Sequence, residues 1–361
     1  MIDTPILVSI VGAGPAGFAL AVDLERHGKS VLVYSHPDRA RHASHVSKNG
    51  GLRSSGLIDH STKPPITFDM KDVVEFSRII ILTVPSTGQE TVLQELKKFD
   101  LRQHTIIAVP GNSFSLVAQA EMEIGAILET NLSPYSCRMN QGELVVLGKK
   151  SLFFMASLQR LSPTASLKIQ NIFPMEVKWC HNVIEVSLNN INGVFHPLMM
   201  LMNAGRIEST GGDFYLYSEG LTRSVANAIL AVDAVRLKVG EAFGFRLKSV
   251  VETSNECYGH SFTDLVDLAQ NSKPHRKLKA PADIVNRNIS EDVPDLLVCW
   301  YGLAKKLGIN ASPIKAVIVM AEMATGENYM EKGRNMKRLH LEGLSRDELI
   351  ARFGMTPKEA P

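Results

Sequence analysis

Cysteine is scarce. The chain has four, Cys137, Cys180, Cys257 and Cys299, far apart and without a Cys-x-x-Cys pair. That spacing gives neither a disulfide framework nor a metal set, and it fits reduced thiols in a cytoplasmic protein. Charge of one sign is lacking too: 39 lysines and arginines stand against 37 aspartates and glutamates, a formal net charge of +2. So even a balance points to no nucleic acid and no membrane as partner. No uninterrupted apolar run is long enough to span a bilayer. The apolar N-terminus has no basic stretch before its first strand, so it does not read as a signal peptide. Repeats at a solenoid period and low-complexity tracts are missing as well. What remains, 361 residues at 45% apolar and 21% charged, is a globular chain long enough for two domains.

What the chain does have is a glycine turn. The apolar run Ile6–Val11 leads into Gly12-Ala13-Gly14-Pro15-Ala16-Gly17, and apolar residues at helical spacing follow as far as His27-Gly28. A second apolar run, Val31–Tyr34, comes where the next parallel strand belongs. Strand, glycine turn and helix in this order form a dinucleotide site. Gly12 permits the tight turn, Gly14 lets a pyrophosphate approach the backbone, and Gly17 lets helix and strand pack closely. Free N–H groups at the helix start then face the phosphates, with Pro15 and Ala16 beside them.

The tip of the second strand selects between NAD and NADP. It reads Ser35-His36, with Arg39 and Arg41 close behind, where an NAD enzyme carries a carboxylate for the ribose 2′-hydroxyl. A small hydroxyl with nearby cations suits a 2′-phosphate, so NADP is the expected cofactor, with NAD as the alternative and Asp38 as a displaced ribose acceptor. Residues 42–70 read as a long connection with a short hairpin. Two buried strands follow, Ile79–Val84 ending at Pro85 and Thr105–Val109 ending at Pro110-Gly111. Ligands of a doubly wound sheet sit beyond such carboxyl ends, which makes Val84, Pro85, Pro110 and Gly111 candidates to line the cofactor; strand termination explains both prolines equally well.

From about residue 185 the pattern changes from strand-like runs to long helices, placing a dinucleotide-binding domain at 1–185 and a helical domain at 186–361. Pro197 suits a helix first turn and Gly205 its end, which would set His196 just before that turn, near free N–H groups that favour a neutral imidazole. Residues 219–243 read as one amphipathic helix, and 254–280 as loop and helix with His260 and Asp264 at helical spacing. Pro294 starts another helix, Ser312-Pro313 a further one, and Ser345 with Glu348 has capping-box spacing. On these residues alone, His196 reads equally as a packed histidine, Asp292 as helix-start electrostatics and Arg287 as a surface ion pair.

Several separated motifs in order resemble the octopine/nopaline (opine) dehydrogenase family. They are the glycine turn, Glu129-Thr130 with Pro134-Tyr135 and Cys137-Arg138, Asn192 to Pro197, and Arg287-Asn288-Ile289-Ser290-Glu291-Asp292-Val293-Pro294 with Trp300-Tyr301 after it. The resemblance implies an α/β Rossmann-type doubly wound domain followed by an all-helical domain of the 6-phosphogluconate-dehydrogenase type. It also implies reductive condensation of an α-keto acid, often pyruvate, with the amino group of an amino acid, giving an N-(1-carboxyalkyl) amino acid. The family's catalytic histidine falls on His196, its partner carboxylate on Asp292 and its substrate-binding arginine on Arg287. Asn288 stands where many relatives carry an aromatic and Cys299 where a proline is expected, so the amino-acid substrate does not carry over. The oligomeric state is left open, a homodimer included. The alternatives are a ketopantoate-reductase-like 2-keto-acid reductase, which would rely on a lysine and a glutamate, and a non-catalytic NADPH sensor.

Overall fold

The run after Pro5 forms β1 (Leu7–Val11), and the glycine turn delivers the chain into α1 (Pro15–Arg26), in a computed structural model that describes residues 5–355. The chain divides into two compact units, Met1–Val183 and Ile184–Pro361.

In the first unit, β2 (Ser30–Tyr34) is followed by α2 (Arg41–Lys48), β3 (Leu52–Gly56), β4 (His60–Thr62), β5 (Ile66–Thr67) and α3 (Met70–Phe76). Then come β6 (Ile79–Leu82), α4 (Ser86–Leu96), β7 (Leu101–Ala108), α5 (Phe114–Glu121) and β8 (Ile124–Thr130). β9 (Tyr135–Asn140), β10 (Glu143–Lys149), β11 (Leu152–Ser157), α6 (Pro163–Gln170) and β12 (Glu176–Trp179) complete the series, and α7 (Val183–Leu188) leads from the last residue of this unit into the second unit. The main sheet has eight strands in the order β12-β11-β8-β7-β6-β1-β2-β5. It is parallel from β5 to β8; β11 then runs antiparallel to β8, with β12 parallel to β11. The parallel part reads 3-2-1-4-5-6 when its strands are numbered in chain order, the dinucleotide-binding topology, and the strand order reverses between β1 and β6. Its central strands are aliphatic and buried on both faces, as helices covering a parallel sheet require.

A second sheet, β4-β3-β10-β9, packs against α1. Asp23, fully buried on α1, accepts a hydrogen bond from the Tyr135 hydroxyl at 2.8 Å and pairs with Lys149 at 2.7 Å. Most of the connection expected over 42–70 is therefore regular structure. Its helix buries only Ala43 and Val46 in a stretch rich in histidine and serine, too thin a stripe to read as periodicity.

The second unit is helical, with one isolated bridge, Tyr215 to Lys279, among the described residues. It contains α8 (Asn192–Leu201), α9 (Ala204–Thr210), α10 (Arg223–Ala242), α11 (Val250–Tyr258), α12 (Leu265–Asn271) and α13 (Arg287–Ser290). A π-helical turn over Val293–Leu297 then runs directly into α14 (Val298–Lys306), followed by α15 (Ser312–Thr325), α16 (Tyr329–Lys332) and α17 (Arg346–Phe353). The Ser345–Glu348 capping box is formed. Two expectations change. Pro197 lies inside α8, because that helix starts earlier, where the Asn190 side chain accepts from the Asn192 N–H. Gly205 belongs to the start of α9 rather than to a helix end. His260 and Asp264 share no helix either: Asp264 caps α12, accepting from Val266 and Asp267, and His260 lies in the loop before it. Among the described residues no helix is long and apolar enough to cross a membrane, and no group of histidine, cysteine and acidic side chains could hold a metal.

Candidate active site

Gly12 takes φ +128°, a conformation other residues avoid, and its N–H donates to Tyr34 O at 3.0 Å. A Cβ on Gly17 would lie 1.8 Å from Gly12 O, so only glycine fits there. A Cβ on Gly14 would meet nothing within 4 Å, which leaves that side of the turn open. Gly14 is the N-cap of α1, Pro15 and Ala16 open the first turn, and no side chain caps it. The free N–H groups and the clear approach at Gly14 fit a pyrophosphate. Val84 and Pro85 adjoin this turn: a Cβ on Gly12 would lie 3.1 Å from Val84 N, and the neighbouring Thr83 hydroxyl donates to Gly12 O. Pro110 and Gly111 follow β7, one strand further along the sheet. The Pro110 carbonyl accepts from Gln89 at 2.9 Å, and Gly111 packs against buried Glu129, whose carboxylate accepts the Ser113 and Ser115 N–H groups at 2.8 Å each.

At the β2 tip Ser35 is buried, with its N–H on Thr67 O. His36 Nδ1 accepts the Asp38 N–H at 3.2 Å. Arg39 and Arg41 are exposed and form no ion pair among the described residues; Arg41 opens α2 rather than lying in a loop. The structure adds a carboxylate that local sequence could not reveal. Glu95 of α4 accepts from the Tyr34 hydroxyl at 2.7 Å and lies 3.9 Å from His36 Nε2. Burial, with Glu95 beside it, raises the Tyr34 phenol above its ordinary range.

In the helical unit, His196 Nδ1 and Asp292 Oδ2 are 2.7 Å apart, with side chains only 15% and 6% exposed. α8 carries the histidine, and the turn between α13 and the π-helical segment carries the aspartate. The ring lies a full turn into α8, not before its first turn, so its partner is the carboxylate rather than free N–H groups. Gly193 on α8 packs directly on the Trp300 ring of α14 and brings these elements close. Arg287 opens α13, its side chain exposed and without a hydrogen bond or ion pair among the described residues. Buried Tyr217 lies within reach of these charges. Burial first, then Tyr258 and Asp292, raise its phenol, while Arg287 opposes them.

A parallel sheet with a glycine cradle at its order reversal, joined to a helical unit holding a His–Asp pair, defines an NAD(P)-dependent oxidoreductase. The comparisons narrow the class. Residues 7–135 match the NAD-dependent glycerol-3-phosphate dehydrogenase N-terminus, and residues 179–325 match the NAD/NADP octopine/nopaline dehydrogenase, alpha-helical domain. Similar proteins include protein ocs of Agrobacterium vitis, 26% identical over 95% of this chain and 98% of that one. Opine dehydrogenase of Arthrobacter sp. (strain 1C) is 28% identical over 93% and 96% of the two chains. An octopine dehydrogenase solved with NADH and L-arginine shares the fold, with a TM-score of 0.73 and 18% identity over 97% and 99% of the chains. The helical unit thus matches the octopine/nopaline dehydrogenase family model, and the chain is similar to opine dehydrogenases along nearly its whole length.

Proposed function

We propose that this opine dehydrogenase condenses an α-keto acid, pyruvate first, with the amino group of an amino acid and reduces the product with NADPH. The 2.7 Å contact between His196 and Asp292 carries the reading. A reduced dinucleotide held by its pyrophosphate at Gly12–Gly17 would supply the hydride from its nicotinamide. The chain's own residues manage protons and carboxylates. Asp292 accepts the Nδ1–H of His196, fixing the tautomer that leaves Nε2 free to take a proton. Nε2 takes one proton from the substrate ammonium and so frees the amine to attack the keto carbon; a second proton passes from that nitrogen to the keto oxygen, giving the carbinolamine hydroxyl. The imidazolium then gives its proton to this hydroxyl as it leaves as water, and the protonated imine remains. Arg287, unpaired among the described residues, grips a substrate carboxylate through two parallel hydrogen bonds and fixes the imine carbon.

Ser35 at the β2 tip and the unpaired Arg39 and Arg41 support NADPH as the preferred reductant. Glu95, close to His36, works against a 2′-phosphate and keeps NADH usable. The deciding experiment follows NADPH and NADH oxidation with pyruvate, with and without a panel of L-amino acids. Oxidation requiring both pyruvate and an amine is expected, with His196→Ala binding NADPH yet losing most turnover. Oxidation by a keto acid alone would identify a plain 2-keto-acid reductase, and a clear preference for NADH would overturn the cofactor choice.

A further inference from the structure

Six rings from separate stretches of the helical unit form one continuous row beginning next to His196. Phe195 of α8 lies 6.3 Å from Tyr217, centroid to centroid, and Tyr217 lies 4.9 Å from His275 at 34° between planes. His275 meets Tyr258 edge-on at 5.3 Å; Tyr258 stacks with His260 at 6.1 Å, and His260 lies 4.9 Å from Phe262. Phe195 and Tyr217 are buried, and the other rings are half-exposed, so the row runs from the dyad outward to solvent. The hydroxyl of Tyr217 has no hydrogen-bond partner among the described residues, although the side chain is almost fully buried. That hydroxyl is free to meet a polar atom of a bound molecule.

The charges around the row decide what kind of side chain it suits. From Leu268 to Ala282 there is no carboxylate, while Lys273, Arg276, Lys277 and Lys279 are present. Among the described residues only Lys279 of these four forms an ion pair, with Asp213 at 2.5 Å. Carboxylates on neighbouring elements are engaged: Asp292 holds His196, Asp264 caps α12 and lies 3.6 Å from Arg223, Glu219 pairs with Arg206, Glu256 with Lys248, and Asp267 accepts from Thr263 and Asn271. Arg287 adds a further positive charge. A guanidinium or ammonium side chain would enter a field of its own sign, whereas a flat neutral ring would gain offset and edge contacts along the row.

We propose that the amino substrate is an aromatic amino acid, its ring lying along Tyr217, His275 and Tyr258. This rests on the opine dehydrogenase reading and specifies its amine. It sets this chain apart from the octopine dehydrogenase solved with L-arginine, whose fold it shares.

The test compares kcat/KM for L-phenylalanine, L-alanine and L-arginine with pyruvate and NADPH. Phenylalanine should exceed both by about tenfold or more, the scale of a well-made aromatic contact. Tyr258→Leu should then lower the phenylalanine-to-alanine ratio by about tenfold, while Tyr258→Phe, which keeps the ring, should preserve it. L-Arginine matching or exceeding phenylalanine would overturn the inference and leave the opine reaction standing. An unchanged ratio in a Tyr258→Leu enzyme that still binds NADPH would overturn it as well. Keto-acid reduction with no amine dependence would instead remove the underlying reading and the inference with it.

Discussion

Replacing Gly193 with alanine tests whether one contact sets the distance between His196 and Asp292. Gly193 lies three residues before His196 on α8. An added Cβ would stand 2.8 Å from Trp300 Cη2, 3.0 Å from its Cζ3 and 3.1 Å from Leu296 Cβ. Comfortable carbon contacts lie near ~3.5–4.0 Å, so something must move. Trp300 and Leu296 are fully buried, and the indole N–H donates to Ser187 Oγ at 3.4 Å, so the ring has no room to give. Overpacking a filled core costs about 1–3 kcal/mol, and alanine's better helix propensity returns about 0.8–1 kcal/mol. The net loss of up to about 2 kcal/mol corresponds to a fall in melting temperature of up to roughly 8 °C. Asp292 and Trp300 belong to one continuous run of helical turns, so the shift that relieves the ring also stretches the 2.7 Å bond. A hydrogen bond to a charged group contributes about 1.5–3 kcal/mol, so weakening it should cut kcat/KM about tenfold or more. Thermal melts and amine-dependent NADPH oxidation measure the two effects. A variant as stable and as active as the parent would refute the idea that this packing holds the dyad.

Asp292→Asn keeps the shape but permits the wrong imidazole tautomer; turnover should fall by about 10²- to 10⁴-fold, with dinucleotide affinity unchanged in a fluorescence titration. Gly14→Ala should melt like the parent yet bind NADPH about tenfold or more weakly, because its Cβ meets no protein atom and occupies the open side of the turn. Gly17→Ala, with its Cβ 1.8 Å from Gly12 O, should fail to fold or lose about 3 kcal/mol or more in urea titration. Buried Tyr135 and Tyr217 have phenols raised above the ordinary value of 10.0. Unfolded tyrosines ionise first as pH climbs, so the stability these two contribute, complete below that value, declines above it. Urea midpoints measured from pH 8 to 11 should show this loss starting near pH 10, and Tyr135→Phe should flatten it.

The cofactor half was legible because its signals are local. Gly12 to Gly17 follow a buried aliphatic strand, and the same residues fix the turn, the strand–helix packing and the phosphate approach. The helical half was legible as a class, but not in its boundaries. Gly193 and Pro197 look like breakers, yet Gly193 is small so that Trp300 can pack against it, and Pro197 is accommodated within the ten-residue α8. His196 and Asp292 come together across 96 positions, so neither periodicity nor spacing could join them; the family resemblance could. Glu95 beside His36 and the row from Phe195 to Phe262 had no such guide. Their members come from different elements, and only tertiary packing brings them together.

The small second sheet has a consequence for how the chain folds. Its strands come from residues 52–62 and 135–149, and β3 pairs with β10 with Arg53 beside Glu143. Everything between β5 and β8 must be accommodated before those strands can meet, a long loop to close and a slow contact to make. The sheet is therefore expected to assemble late and to open early. It works as a latch on the far end of α1, holding it through Asp23 to Tyr135 and Lys149 and through Glu25 to Thr62. The other end of that helix presents the free N–H groups of the nucleotide cradle. Opening the latch would leave α1 anchored only by its own strand pair, so hydrogen exchange in β9 and β10 should slow when NADPH binds at the opposite end of the helix.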